Sequence, residues 1–145
     1  HCPYVLHIIE YFSIMAGEYQ KQGIGIVGIN SNDVDTYPDD SPANMAEFSK
    51  KYDLSFPYLF DETQKAARSY RASCTPDFFL FNSERKLVYR GQLDDSRPGN
   101  NKPVTGRELR AALDALLIEE PVVVNQKPSM GCNIKWKSGN EPDYF

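Results

Sequence analysis

An α/β fold, a central mixed sheet flanked by helices, is the class this 145-residue chain predicts, and three observations predict it. Apolar residues recur at helical spacing near the start of the chain and again near residue 110. Between these stretches, short β-branched and aromatic runs alternate with helix signals, giving the order α-β-α-β-α-β-β-α. The run Ile24-Gly25-Ile26-Val27-Gly28-Ile29 is almost continuously apolar, as in a strand covered on both faces of a parallel sheet. Alternation at this spacing implies right-handed βαβ crossovers.

The first helix carries Val5, Ile8, Ile9, Phe12, Met15 and Tyr19 on one stripe. Pro3 suits its first turn, where a missing N–H costs nothing, and Gly23 supplies the stop. The strand Ile24–Ile29 follows, expected to be central, parallel to Tyr58–Phe60 and to have Asp77–Phe81 antiparallel beside it. Residues Asn30 to Asp40 are polar and turn-rich and read as a surface insertion. Ser41-Pro42 opens a short helix to about Tyr52, with Met45 and Phe48 inward. Phe56–Phe60 reads as a strand, and Asp61 as the cap of a helix ending at Tyr70. Asp77–Phe81 and Lys86–Gly91 form a hairpin about the turn Asn82-Ser83-Glu84-Arg85. Thr105-x-x-Glu108 reads as a capping box for a helix bearing Leu109, Ala112, Leu113, Leu116 and Leu117. Beyond Glu119 regular patterning fades, although Val122–Val124 has strand character. The organisation expected is one domain over 1–118 and a C-terminal extension, 119–145, packed on it.

Composition narrows the function classes. The chain is 41% apolar and 25% charged with a formal net charge of −4. Both signs are dispersed, so there is no basic footprint for nucleic acid and no polybasic surface for lipid. No apolar run approaches the ~18 residues a membrane span requires. The compartment expected is the cytoplasm. Three cysteines, Cys2, Cys74 and Cys132, are too few for a disulfide scaffold, and their odd number favours a reactive thiol.

Two short stretches carry the chemistry. In His1-Cys2-Pro3-Tyr4 a cysteine stands at the mouth of the first helix, where unpaired N–H groups favour a thiolate and bring a thiol to pKa ~3.5–7.5. His1 and His7 are near in sequence, and an imidazolium would lower it further. In Cys74-Thr75-Pro76-Asp77 a proline stands just before the strand Phe78–Phe81, where a strand-entry proline is tolerated. Pro76, expected in a cis peptide with Thr75, would face Cys2 across a shallow groove with room for an extended substrate. A poorly reactive capping cysteine and an ordinary turn proline are the plainer readings of each stretch alone. Cys74 reads either as a second thiol near the groove or as a small buried hydrophobe. Cys132 could reach the site only if the tail folds back, with Ile134 and Trp136 helping to dock it. His1 and Pro3, and the loop residues Asp94, Asp95 and Arg97, are candidates to border the groove; a solvated turn with an Asp95–Arg97 pair is the alternative. His1, Cys2, His7 and Cys74 match no closed zinc motif, so no metal and no cofactor are expected.

At these residues the chain resembles the redoxin group of the thioredoxin superfamily, the peroxiredoxin-related proteins of the alkyl hydroperoxide reductase/thiol-specific antioxidant type. The resemblance rests on His1-Cys2-Pro3-Tyr4-Val5, Gly28-Ile29-Asn30-Ser31-Asn32-Asp33, Tyr37–Pro42, Phe56-Pro57-Tyr58-Leu59, Cys74–Phe79, Tyr89–Gly99 and Gly131–Lys137. It implies a thioredoxin-like fold. It also makes Cys2 the second cysteine of a C-x-x-C pair and places the N-terminal strand ahead of His1, outside this chain. For the intact protein it implies thiol–disulfide exchange, in which the cysteine ahead of His1 attacks a protein or small-molecule disulfide, Cys2 resolves the mixed disulfide, and an external thioredoxin- or glutathione-like thiol is the reductant. A peroxiredoxin-like thiol peroxidase acting on a hydroperoxide is the alternative. Peroxiredoxins carry an arginine about where Pro76 stands, whereas Arg68 and Arg71 are only nearby in sequence. A redox-silent binding module is the third reading, since fold alone does not imply activity.

Overall fold

The computed structural model describes residues 1–144. Its elements, in chain order, are α1 (Pro3–Gln20), β1 (Gly28–Asn30), α2 (Pro42–Lys51), β2 (Tyr58–Phe60), α3 (Lys65–Tyr70), β3 (Cys74–Thr75), β4 (Phe78–Phe81), β5 (Leu87–Gly91), α4 (Arg107–Leu117) and β6 (Cys132–Asn133), with a 3₁₀ turn over Pro38–Asp40 ahead of α2. The predicted order is present, and the mixed α/β architecture is thioredoxin-like.

Local chemistry accounts for most boundaries. Pro3 stands at the first position of α1, and Ser41 caps α2 by accepting from Asn44 N–H. The β4–β5 hairpin closes through Asn82, whose side-chain oxygen accepts from Glu84 and Lys86 N–H while Arg85 turns at positive φ. The Thr105–Glu108 capping box does not form. Gly106 at positive φ starts α4 instead, and Glu108 turns to Gln92, Arg107 and Lys127. Asp61 lies ahead of α3, but Gln64 is its first flanking residue; Asp61 accepts from Ala67 N–H and Ser31 Oγ. Val122–Val124 forms no strand.

The main core is the seam where α1 meets α4 and the hairpin: Ile8, Met15 and Tyr19 pack with Leu80, Tyr89, Leu109 and Leu113. Each such large side chain contributes about 1.5–3 kcal/mol by leaving water, so this seam fixes where the start of α1 lies. A smaller cluster joins Ala67, Ala72 and Ile134, flanked by Phe79 and Trp136, and docks the tail.

The sheet departs from expectation. β1 pairs in parallel with β2 and β4 antiparallel with β5, but β1 and β4 are not hydrogen-bonded to each other. Both face an apolar cavity of about 1200 Å³ that also reaches Ile9 and Phe12 of α1. Residues Ile24–Val27 therefore stay outside the ladder, and Val27 and Ile29 are about half exposed rather than covered on both faces. The run lines this cavity. The Asn30–Asp40 segment is exposed over 35–39, as a surface insertion would be, but its ends are not: Asn30, Ser31, Asn32, Asp33 and Asp40 are buried. They satisfy one another, Asn30 Nδ2 donating to the Asp40 carbonyl and Asn32 Nδ2 to its carboxylate, so burial leaves no orphaned dipole.

Candidate functional site

Cys2 lies at the N-terminal mouth of α1, 4% exposed, with Val5 and Leu6 N–H already bonded to its carbonyl. The turn that follows it aims backbone donors outward. Opposite stands the Thr75–Pro76 peptide, which is cis. The Cys2 thiol is 3.3 Å from the Thr75 carbonyl oxygen. The third partner comes from the tail: Cys132 Sγ is 2.8 Å from Cys2 Sγ. Cys132 arrives there because β6 pairs antiparallel with β3, Thr75 opposite Cys132 and Cys74 opposite Asn133.

Electrostatics distinguishes the three thiols. Burial pushes the Cys2 thiol up, but hydrogen bonding from Cys132, from Thr75 and from the backbone N–H groups of Val5 and Cys132 outweighs it and holds Cys2 below the ordinary value of 9.0. The sulfur makes no well-formed cap bond, so Val5 N–H acts on it as an oriented dipole at the helix terminus. Thr75 Oγ1 is buried without a partner of good geometry, which leaves it free to donate to a thiolate. Cys132 moves the opposite way, raised by burial and then by the neighbouring Cys2 sulfur. Cys74 is pushed up to about 11, first by burial and next by the Asp77 carboxylate; its thiol points to the Pro76 carbonyl at 3.6 Å.

The other predicted groove residues are placed differently. His1 turns to Asp40, with Nδ1 2.5 Å from the carboxylate, and stacks on Tyr37; Pro3 is an exposed first-turn residue. Asp94 is turned inward. It is 3% exposed and accepts from Ser96, Thr105 and Gly106 N–H, so it organises the loop leading into α4. Arg97 donates to the Asp94 and Ser96 carbonyls and to Gln92, and Asp95 pairs with Lys127, so the Asp95–Arg97 pair is absent. Asp94, Ser96 and Arg97 do share a cavity of about 20 Å³ with Tyr4, His7 and Pro76, room for one water. His7 spends its Nε2 on Ser96 Oγ at 2.7 Å and does not face the thiols. Among the described residues no group of three or more metal-ligating side chains converges, and no helix is long and apolar enough to cross a membrane.

Sequence reasoning missed what seats the tail. Gln64, wholly buried, donates to the Ser31 and Lys135 carbonyls and accepts from Lys137 N–H; Asn32 accepts from Lys135 N–H and Asp33 N–H reaches the Lys135 carbonyl. Their only signal was polar residues following a strand, which reads equally well as a solvated loop.

With this geometry in place, comparison with known proteins is informative. The AhpC/TSA family model matches residues 1–90. Among curated proteins, the thiol-disulfide oxidoreductase ResA of Halalkalibacterium halodurans is 25% identical over 88 residues, 61% of this chain and 46% of that protein. ResA of Bacillus subtilis is 31% identical over 80 residues, 53% of this chain and 41% of that protein. The matched region thus spans less than half the length of these relatives. Among solved structures, a hypothetical protein from Sinorhizobium meliloti 1021 superposes with a TM-score of 0.94 at 50% identity, covering 96% of this chain and 76% of that one. An uncharacterized conserved protein from Geobacillus kaustophilus gives 0.92 at 55% identity, covering 94% and 72%.

Proposed function

The chain belongs to the AhpC/TSA family, and from that premise we propose that it carries out thiol–disulfide exchange with Cys2 as the reactive thiol. The observation that carries this reading is a buried sulfur held below its ordinary pKa at a helix mouth, opposite the Thr75–Pro76 peptide. Burial by itself would silence a thiol; here donors reverse that effect, as a nucleophilic site requires.

Cys2 is here the attacking group rather than the resolving one that the resemblance makes it: its thiolate attacks one sulfur of a disulfide, forming a mixed disulfide and expelling a thiolate that takes a proton from water. A second thiol then attacks the Cys2 sulfur and releases the remaining half of the substrate. An external thioredoxin- or glutathione-like thiol returns the protein to its reduced state. The substrate is a protein or small-molecule disulfide, consistent with the ResA relatives. A hydroperoxide is less well served: no arginine is among the hydrogen-bond partners of Cys2. Arg71 stacks on Tyr144, and Arg90 bonds the Arg71 carbonyl and Asp77. No cofactor enters this chemistry, and Thr75 and Pro76 form the wall against which the substrate lies.

The test is turnover of a small aromatic disulfide with a dithiol donor, alongside hydroperoxide consumption. Cys2→Ser should reduce disulfide turnover to the rate of the donor alone. If hydroperoxide consumption is the activity that Cys2→Ser removes, the peroxidase reading replaces this one. If neither rate depends on Cys2, the chain is a binding module.

A further inference from the structure

The tail lies where a substrate would. β3 offers one short backbone edge beside Pro76 and the Cys2 sulfur, and β6 occupies it as an extended antiparallel segment with Cys132 opposite Thr75. Its cysteine meets Cys2 at 2.8 Å, and the two sulfurs need approach by only about 0.8 Å more to reach disulfide length. The approach is built into the sequence. A Cβ at Gly131 would fall 2.0 Å from the Thr75 carbonyl oxygen, so only glycine lets the strand come this close. A Cβ at Gly91 would likewise meet the Lys127 carbonyl oxygen at 2.3 Å, where the tail passes β5. On the far side of Cys132, Gln64 and Asn32 hold the backbone of Lys135 and Lys137, which sets the register.

We propose that Cys132 is the resolving thiol for Cys2, carried on a strand that occupies the substrate groove and is displaced when substrate enters. The inference rests on Cys2 being the reactive thiol. With Cys2 only 4% exposed, a substrate reaches it when β6 lifts: the two-residue ladder opens while the Gln64 and Asn32 bonds beyond it keep the segment tethered for its return. Cys2 thiolate attacks the substrate disulfide R–S–S–R, leaving Cys2–S–S–R and one R–S⁻. The returning strand brings back Cys132, which gives its proton to solvent and attacks Cys2 Sγ. The Cys2–Cys132 bond forms, and the second R–S⁻ leaves and is protonated by water. Both thiols are oxidised to one disulfide and one substrate disulfide is reduced to two thiols, so the electrons balance. An external dithiol reopens the pair by the same chemistry in reverse. The same strand that blocks the groove at rest expels product by re-forming its ladder.

The test uses the reduced 145-residue chain and Ellman's reagent, an aromatic disulfide, with released thionitrobenzoate followed by stopped-flow absorbance. Cys74, held up near 11, falls outside the fast phase. The native chain should release two thionitrobenzoates in that phase, retain no adduct, and yield a Cys2–Cys132-linked peptide on digestion. Cys132→Ser should release one and keep the adduct on Cys2, lengthening its lifetime by at least about tenfold. Gly131→Ala, which keeps every thiol but unseats β6, should also retain the adduct with Cys132 still free, and its far-UV circular dichroism should match the native chain. The inference is overturned if the native chain retains the adduct on Cys2, if Cys132→Ser clears it as fast as the native chain, or if Cys2 links to Cys74. In each of those cases Cys2 has reacted, and the exchange reading stands. If Cys2 does not react at all, both readings fall together.

Discussion

The mouth of α1 and the start of β3 each hold a buried cysteine, and the two sulfurs have opposite chemistry. Cys2 is 4% exposed and Cys74 8%, and both lie beside the Thr75–Pro76 peptide. Burial disfavours the thiolate at both. At Cys2 the Thr75 carbonyl oxygen lies 3.3 Å away, but donors prevail: a thiol, a hydroxyl without another partner, and backbone N–H groups. At Cys74 the Asp77 carboxylate adds to the burial penalty, and together they outweigh the Ser73 hydrogen bond and the Arg90 charge that oppose them. Neither depth nor closeness to Pro76 separates the two. What faces the sulfur does, and this is why a helix terminus makes a nucleophile where a strand start does not.

The sharpest way to break the comparison is selective alkylation at pH 7, with each cysteine read by peptide mass. At pH 7 a thiol near 11 is thiolate in about one molecule in ten thousand, whereas one below 9.0 is thiolate in more than about one in a hundred. The higher intrinsic nucleophilicity of the more basic thiolate offsets about half of that difference, so Cys2 should react at least about tenfold faster than Cys74. Equal rates would mean that the donors around Cys2 do not outweigh its burial.

A second expectation follows from linkage at Cys74. Its folded pKa, about 11, lies above the ordinary 9.0, so the folded state favours the neutral thiol. Below pH 9 both states are protonated and nothing is lost. Above it the unfolded chain sheds its proton first, so stability declines from pH 9 until the folded thiol titrates near 11. Between pH 8 and 10.5 the loss attributable to Cys74 is about 2 kcal/mol. Denaturant midpoints of the native chain and Cys74→Ala at those two pH values measure it. The native chain should lose more than the variant; parallel losses would assign the decline to the other raised groups, among them Tyr19, Tyr58 and Tyr89, whose hydroxyls are pushed up to about 12.

These contrasts also show which parts of the molecule a sequence can disclose. α1, α2 and the β4–β5 hairpin were legible because their signals are local: a 3.6-residue stripe, a Ser-Pro cap, an Asn-centred turn. Family membership and the mixed α/β fold followed from motifs in the same way. The errors lie where one residue type serves two environments. Ile24–Ile29 looks like a doubly covered strand, yet its apolar side chains line a cavity and only its end joins a ladder. Residues 30–33 and Asp40 look solvated like the exposed 35–39 between them, yet their amides and carboxylates bond one another and the tail. Asp94 and Arg97 look like groove charges but organise the turn into α4. The contact between Cys2 and Cys132 depends on docking by Gln64 and Asn32, which pattern alone cannot show because it joins residues some 70–130 positions apart.

The smallest expected effect isolates one donor. Thr75→Val keeps the shape of the side chain and removes the hydroxyl that favours the Cys2 thiolate. Losing one donor to a charged group should raise the Cys2 pKa and so slow its alkylation at pH 7 by roughly two- to threefold. Cys74 has no contribution from this hydroxyl, and its pKa should not move. Stability should move the other way from most buried substitutions. Thr75 Oγ1 is buried with no partner of good geometry, so its removal relieves an unmet desolvation cost and should leave the denaturant midpoint unchanged or raised by up to about 1 kcal/mol. A variant that lost stability while Cys2 titrated as before would show that the hydroxyl serves the fold. One that kept its stability with a raised Cys2 pKa would show that the hydroxyl is held unpaired for the thiolate.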